Sequence, residues 1–204
     1  MASIIVCSAP HDGHVSPMLG VARRLIARGH RVRFLTGPKY AEAVRSAGAE
    51  FLPLGPGADE PPKSTDATGM QAIRDGVRLL VVDPARGQYE PLMAAVAAEP
   101  TDAVLAEISF MAASILSRQP RESRPPVIAC GILPLTLSSR DCAPFGMGLN
   151  PGKGPLSRLR NRALNWFVAN VALKDTQRQV NEKMRELGGV EPDGSFFLDW
   201  ARKG

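Results

Sequence analysis

Four apolar residues with no polar face among them, Ile4-Ile5-Val6-Cys7, stand near the start of this chain. A short, mostly β-branched run of this kind reads as a buried strand. It leads straight into Pro10-His11-Asp12-Gly13-His14-Val15-Ser16-Pro17. Ser16 suits a helix N-cap and Pro17 a first helical position. Val15, Met18, Ala22, Leu25 and Ile26 then recur on one helical face, and Gly29 stops the helix. His14 is therefore expected on a strand-to-helix turn, next to a helix N-terminus. In an open α/β sheet, ligands bind along that edge.

The same rhythm continues. Arg31–Thr36 reads as a second strand, Tyr40–Ala47 as a short helix closed by Gly48, and Glu50–Leu54 as a third strand. Pro53 places that strand at the sheet edge. Helical patterns follow over Met70–Val82 and Tyr89–Ala98, then a strand over Asp102–Glu107, a helix over Phe110–Ser117 and a strand over Val127–Gly131. Alternation of this kind predicts an α/β fold: a Rossmann-like, doubly wound parallel sheet in the order 3-2-1-4-5, with flanking helices. Two breaker-rich loops interrupt it, Gly55–Gly69 and Ile132–Pro155.

A last helical pattern runs from Leu156 to Leu187 and stops at Gly188-Gly189. It carries Leu159, Ala163, Phe167, Val171 and Val180, with Arg158, Arg160 and Arg162 crowding its start. A basic amphipathic helix either lies on a membrane or packs its apolar face on its own domain, and packing is the expectation. The reading gives one domain over 1–187 and a short tail or linker stub over 188–204.

Charge bears on partners. The net charge is +5, spread along the chain and never interleaved with aromatics, so no nucleic-acid partner is expected. Cys7, Cys130 and Cys142 show no metal-ligand spacing, so no metal is expected and reduced thiols in a cytoplasmic protein are the simplest reading. Neither a signal peptide nor an apolar stretch of the ~18 residues needed to span a membrane is recognised.

In the 3-2-1-4-5 order, strands one and four are neighbours on either side of the switch point. His14 follows the first and Glu107 ends the fourth. A carboxylate beside an imidazole fixes its tautomer and stabilises the imidazolium, which suits deprotonation of a hydroxyl. The same spacing also fits a surface histidine and a solvated glutamate. His11 is a weaker candidate, as a substrate contact, and His30 is expected in solvent. A dinucleotide site is not supported: the first turn lacks G-x-G-x-x-G and the second strand ends in Thr36 rather than an acid. A phosphate loop of the G-x-x-x-x-G-K-[ST] type and a G-x-S-x-G hydrolase elbow are also missing.

Gly13-His14-Val15-Ser16-Pro17, followed by a helix ending Ala27-Arg28-Gly29-His30-Arg31-Val32, resembles the start of family 1 glycosyltransferases, which include macrolide and flavonoid transferases. The likeness continues through Gly48-Ala49-Glu50-Phe51 and Thr101-Asp102-Ala103-Val104-Leu105-Ala106-Glu107 and, more weakly, through the long helix. It implies the N-terminal, acceptor-binding half of a GT-B fold. It implies that His14 deprotonates an acceptor hydroxyl, supported by Glu107 where the family usually has Asp. That hydroxyl then attacks a nucleotide sugar, a UDP- or dTDP-sugar, with inversion. The co-substrate is implied without any bound cofactor.

No histidine follows His30, so the His-Gly-Gly-type loop that holds the nucleotide sugar in the family's C-terminal domain is missing. The expectation is an acceptor half whose donor domain is absent from this chain, with a separate donor-domain chain as one partner. The alternative is a non-catalytic, stand-alone binding module. The acceptor is expected to be small, apolar and hydroxylated, and to touch His11, Asp12, Phe110, Phe145 and Met147. Membrane contact is not expected.

Overall fold

The computed structural model describes residues 1–60, 66–133, 137–152 and 154–202. The apolar run forms β1 (Ser3–Cys7) at the centre of a parallel sheet ordered β3-β2-β1-β4-β5, as the alternation predicted. The other strands are β2 (Arg31–Thr36), β3 (Glu50–Pro53), β4 (Ala103–Glu107) and β5 (Val127–Cys130). Val6 pairs with Phe34 on one side and Leu105 on the other. β3, with its proline, lies at the edge, where a missing N–H costs no ladder bond.

β1 has no polar face because both of its faces are covered. Ile4 and Val6 join a layer with Val15, Met18 and Ala22 of α1 (Asp12–Ala27) and Val44 of α2 (Ala41–Ser46). Ile5 and Cys7 join the opposite layer. That layer holds Leu92 of α4 (Ala85–Ala98), Ile115 of α5 (Met111–Ser117), and Val180 and Met184 of α7 (Lys174–Gly188). α3 (Gly69–Val77) runs on through a widened turn over Arg78–Val82 before α4. Gly87 lets the 55–58 segment close on α4. A Cβ there would stand 2.6 Å from the Pro56 carbonyl oxygen and 2.7 Å from that of Gly55.

Two helix starts differ from the sequence reading. α1 begins at Asp12, not at Pro17, which sits inside the helix. The His11 carbonyl nucleates it, accepting from the N–H groups of His14 (2.9 Å) and Val15 (2.8 Å). Pro17 lies in the second turn and has no N–H to give the Gly13 carbonyl, so one helical bond is missing there. α4 likewise begins directly after Pro84, ahead of Tyr89. His30 is only partly exposed, its Nδ1 accepting from the Ala2 N–H at 3.3 Å.

The long helical pattern is two helices. α6 (Pro155–Phe167) passes through a widened turn over Val168–Ala172 and breaks at Leu173, whose N–H reaches the Val168 carbonyl at 2.9 Å. The expectation that the long helix packs its apolar face inward holds for α7, where Val180 and Met184 are buried, and is overturned for α6 and the turn after it. Leu156, Leu159, Trp166, Phe167 and Val171 are exposed, and Asn161 is fully buried. The inward side is polar: Asn161 donates to the Arg140 carbonyl (3.3 Å), and Asn165 to those of Ser139 (2.9 Å) and Cys142 (3.2 Å).

Beyond Gly189 the chain turns back onto the domain. Phe197 and Trp200 are buried, and the Trp200 indole N–H donates to the Ile108 carbonyl at 2.9 Å. Of the two loops expected from sequence, positions 61–65 of the first and 134–136 and 153 of the second lie outside the described residues, as do 203–204 of the tail.

Candidate functional site

β1 and β4 end side by side, with Cys7 paired to Ala106. The next residue of β4, Glu107, is fully buried at the sheet's carboxyl edge. An unpaired buried carboxylate costs far too much to persist, so its partners define the site. Oε1 accepts from the Ala9 N–H at 3.3 Å and from the Ser109 hydroxyl at 2.6 Å. Oε2 accepts from the Ser109 N–H at 2.8 Å and faces His14 Nδ1 at 3.3 Å. His14 Nδ1 is also 3.3 Å from Ser109 Oγ.

A carboxylate only accepts, so the His14 nitrogen that faces it carries the proton. That leaves Nε2 as the basic nitrogen, on a side chain 14% exposed. The sequence reading put His14 on a turn before the helix. The earlier start of α1 puts it inside the first helical turn instead.

Burial pushes the Glu107 carboxyl up. The hydrogen bonds with His14 and Ser109 outweigh that and hold it below the ordinary carboxylate range. Its contribution to stability is therefore complete above the ordinary carboxylate value and is lost as the pH falls through the lower folded value. Glu107→Gln is expected to flatten the acid limb of the stability profile, read as urea midpoints at a series of pH values. Parallel acid limbs for the two proteins would show that the carboxyl is not held.

Ser109 was missed by the sequence reading. A serine two residues beyond a strand end carries no distinctive pattern. The only available signal was its position, close enough to fold a hydroxyl and an N–H back onto the same carboxylate. Ser109→Ala is expected to cost about 1.5–3 kcal/mol of stability at neutral pH, as a hydrogen bond to a charged group does. In a Glu107→Gln background the loss should shrink, which a double-mutant cycle by urea denaturation measures.

The expected contact residues divide. The His11 ring lies 5.3 Å from that of His14. It lines a cavity of about 210 Å³ with Pro10, Ala58, Leu80 and Gln88. Burial and then the neighbouring His14 hold the His11 imidazole below its usual value. Gln88 is fully buried and accepts from the Ala112 N–H at 3.4 Å, while its Nε2 has no hydrogen-bond partner among the described residues. Asp12 turns to the surface, accepting from the Tyr40 hydroxyl at 2.7 Å and from Lys39 at 3.2 Å. Those two groups hold its carboxyl below the usual range.

Phe145 is exposed and borders two apolar cavities. One, of about 140 Å³, is lined by Ser109, Met111, Leu133 and Trp200. The other, of about 90 Å³, includes Met147, Ile73 and Val168. Ser109 thus joins the buried carboxylate to an apolar wall. Phe110 is fully buried in the core and presents no surface to a ligand, which corrects its expected role. Among the described residues no cluster of three or more His, Cys, Asp or Glu side chains is placed to hold a metal, and no helix is long and apolar enough to cross a membrane.

Residues 12–112 match the glycosyltransferase family 28 N-terminal domain. The chain is 31% identical over 195 residues to 4'-demethylrebeccamycin synthase of Lentzea aerocolonigenes, covering 92% of this chain and 46% of that protein. It is 32% identical over 198 residues to UDP-glycosyltransferase 2 of Phaeomoniella chlamydospora, covering 91% and 43%. The chain spans about half the length of these curated relatives. Among solved structures, the glycotransferase of kitacinnamycin superposes with a TM-score of 0.63 at 20% identity, over 97% of this chain and 43% of that one. At that identity the likeness is one of fold.

Proposed function

This chain belongs to the glycosyltransferases as an N-terminal domain of the family 1 type, half of a GT-B fold, and on that premise we propose that it binds a hydroxylated, largely apolar acceptor and activates its hydroxyl. What carries the reading is the His14–Glu107–Ser109 cluster at the sheet's carboxyl edge, with Ser109 also on the wall of an apolar cavity. In the proposed step, the acceptor oxygen bonds to the anomeric carbon of a nucleotide sugar from the face opposite the leaving group. The bond from that carbon to the diphosphate oxygen breaks, and the nucleoside diphosphate leaves with the electron pair. The hydroxyl proton passes to His14 Nε2, and Glu107 stabilises the imidazolium formed.

Transfer needs both reactants held in register, and positioning supplies roughly 7–11 kcal/mol of barrier reduction. No recognisable diphosphate-gripping motif accompanies the base. The donor sugar is therefore proposed to be held by a second domain, from the same protein or a separate chain. Isothermal titration of the 204-residue chain is expected to show binding of hydroxylated flavonoid or macrolide acceptors and none of nucleotide sugars near micromolar. Adding a donor domain from a relative should bring turnover. Glucosylation by the chain alone, or binding confined to charged sugars and peptides, would overturn the reading.

A further inference from the structure

α6 is an amphipathic helix turned inside out. Its core-facing side is polar, anchored by the buried Asn161 and by Asn165 on loop carbonyls. Its solvent side repeats Leu156, Leu159, Ala163, Trp166 and Phe167 at helical spacing, a continuous stripe. Leu156 is 82% exposed, Leu159 66% and Trp166 62%. Phe145 and Leu149 of the preceding loop are exposed as well. Large side chains lined up in water along a whole helix mark an interaction surface, whereas single exposed apolar residues do not.

Charge decides what that surface meets. From Cys142 to Lys174 the sequence has no Asp or Glu, but it has Lys153, Arg158, Arg160, Arg162 and Lys174. Arg158 and Arg162 flank the stripe on one side and Arg160 on the other, as follows from 3.6 residues per turn. Arg158 is paired with Asp141 at 2.8 Å, and Arg160 donates to the Asn161 side chain and the Asn150 carbonyl. Arg162 makes no ion pair among the described residues. A second copy docked through this face would bring arginine against arginine. An anionic lipid surface gives the aromatic and leucine side chains an apolar boundary and the guanidinium groups a layer of phosphates.

We propose that the outward face of α6 docks this domain on anionic membrane surfaces, lying in the headgroup plane with Trp166 and Phe167 inserted. The docking is peripheral and is independent of the sugar-transfer reading.

The test is co-sedimentation of the 204-residue chain with vesicles of phosphatidylcholine alone, or of phosphatidylcholine mixed equally with phosphatidylglycerol. Acrylamide quenching of tryptophan is followed in parallel. Trp200 is buried, so Trp166 dominates the quenching. Binding is expected to be at least about tenfold tighter to the anionic vesicles, to weaken with salt and to shield Trp166. The triple variant Arg158→Gln, Arg160→Gln, Arg162→Gln should lose roughly a hundredfold, about fivefold for each charge near the surface. The double variant Leu159→Ser, Trp166→Ser should abolish binding, and since both side chains are exposed it should keep the wild-type circular dichroism. The proposal fails on equal binding to both vesicle types, on no binding at millimolar lipid, or on binding that neither variant changes. It also fails if sedimentation velocity shows a dimer that Trp166→Ser dissolves and vesicles do not disrupt.

Discussion

Replacing His14 with alanine in an assembly that holds both halves of the transferase is expected to lower turnover by roughly 10²–10⁴-fold, or about 2.7–5.4 kcal/mol of barrier. The effect should fall on kcat, because a general base acts in the transition state and contributes little to ground-state binding. Acceptor affinity for the isolated chain should change by no more than a few-fold, since the apolar walls around Phe145 remain. Glu107→Gln should lower kcat less. It keeps the side chain's shape and one accepting oxygen but gives up the charge that stabilises the imidazolium. A silent Glu107→Gln beside a severe His14→Ala would mean that another group orients the imidazole. An unchanged kcat in His14→Ala would remove His14 from the chemistry altogether.

Phe110→Ala carries the second large effect, on stability. Its ring is fully buried in the core layer that holds Ile5, Leu92, Val104 and Ile115. Truncating a buried phenylalanine leaves a cavity that neighbours only partly fill, at a cost of about 3–5 kcal/mol. For a domain of this size that lowers Tm by on the order of 10 °C. The same residue begins the turn into α5, and its N–H donates to the Glu107 carbonyl at 3.1 Å. Acceptor affinity, measured well below the new Tm, should follow the folded fraction alone. A large loss of affinity with unchanged Tm would return Phe110 to the ligand.

The fold was legible because parallel sheets announce themselves. A strand covered on both faces has to be apolar throughout, and Ile4-Ile5-Val6-Cys7 could be little else. The His14–Glu107 neighbourhood followed from strand order alone. What failed were features that depend on distant partners. Phe110 beside a site residue looks the same in sequence whether it points to a ligand or into the core. Arg33, in the second strand, carries nothing in sequence that says where its side chain goes. It is buried, with Nη1 on the Ala95 carbonyl and Nη2 on the Thr101 hydroxyl, both at 2.6 Å. The orientation of α6 was not legible either. Periodicity shows that a helix has two faces but not which one is turned to its own domain. The polar loop carbonyls that claim Asn161 and Asn165 could not be placed from sequence.

The central position of β1 also sets an order of events during synthesis. Ser3 needs only Arg31 to begin its pairing with β2, so the partners of the β1–β2 and β2–β3 ladders all lie in the first third of the chain. The seam between β1 and β4 has to wait. His14 and Ser109 are 95 residues apart, which at 5–20 residues per second is about 5–20 s of ribosome time. Until then the hydrophobic edge of β1 is open, and the imidazole has no carboxylate behind it. The His14–Glu107 pair thus forms late, at the join between segments far apart in the chain. Lesions in β4 are expected to separate His14 from its carboxylate and to uncover the edge of β1.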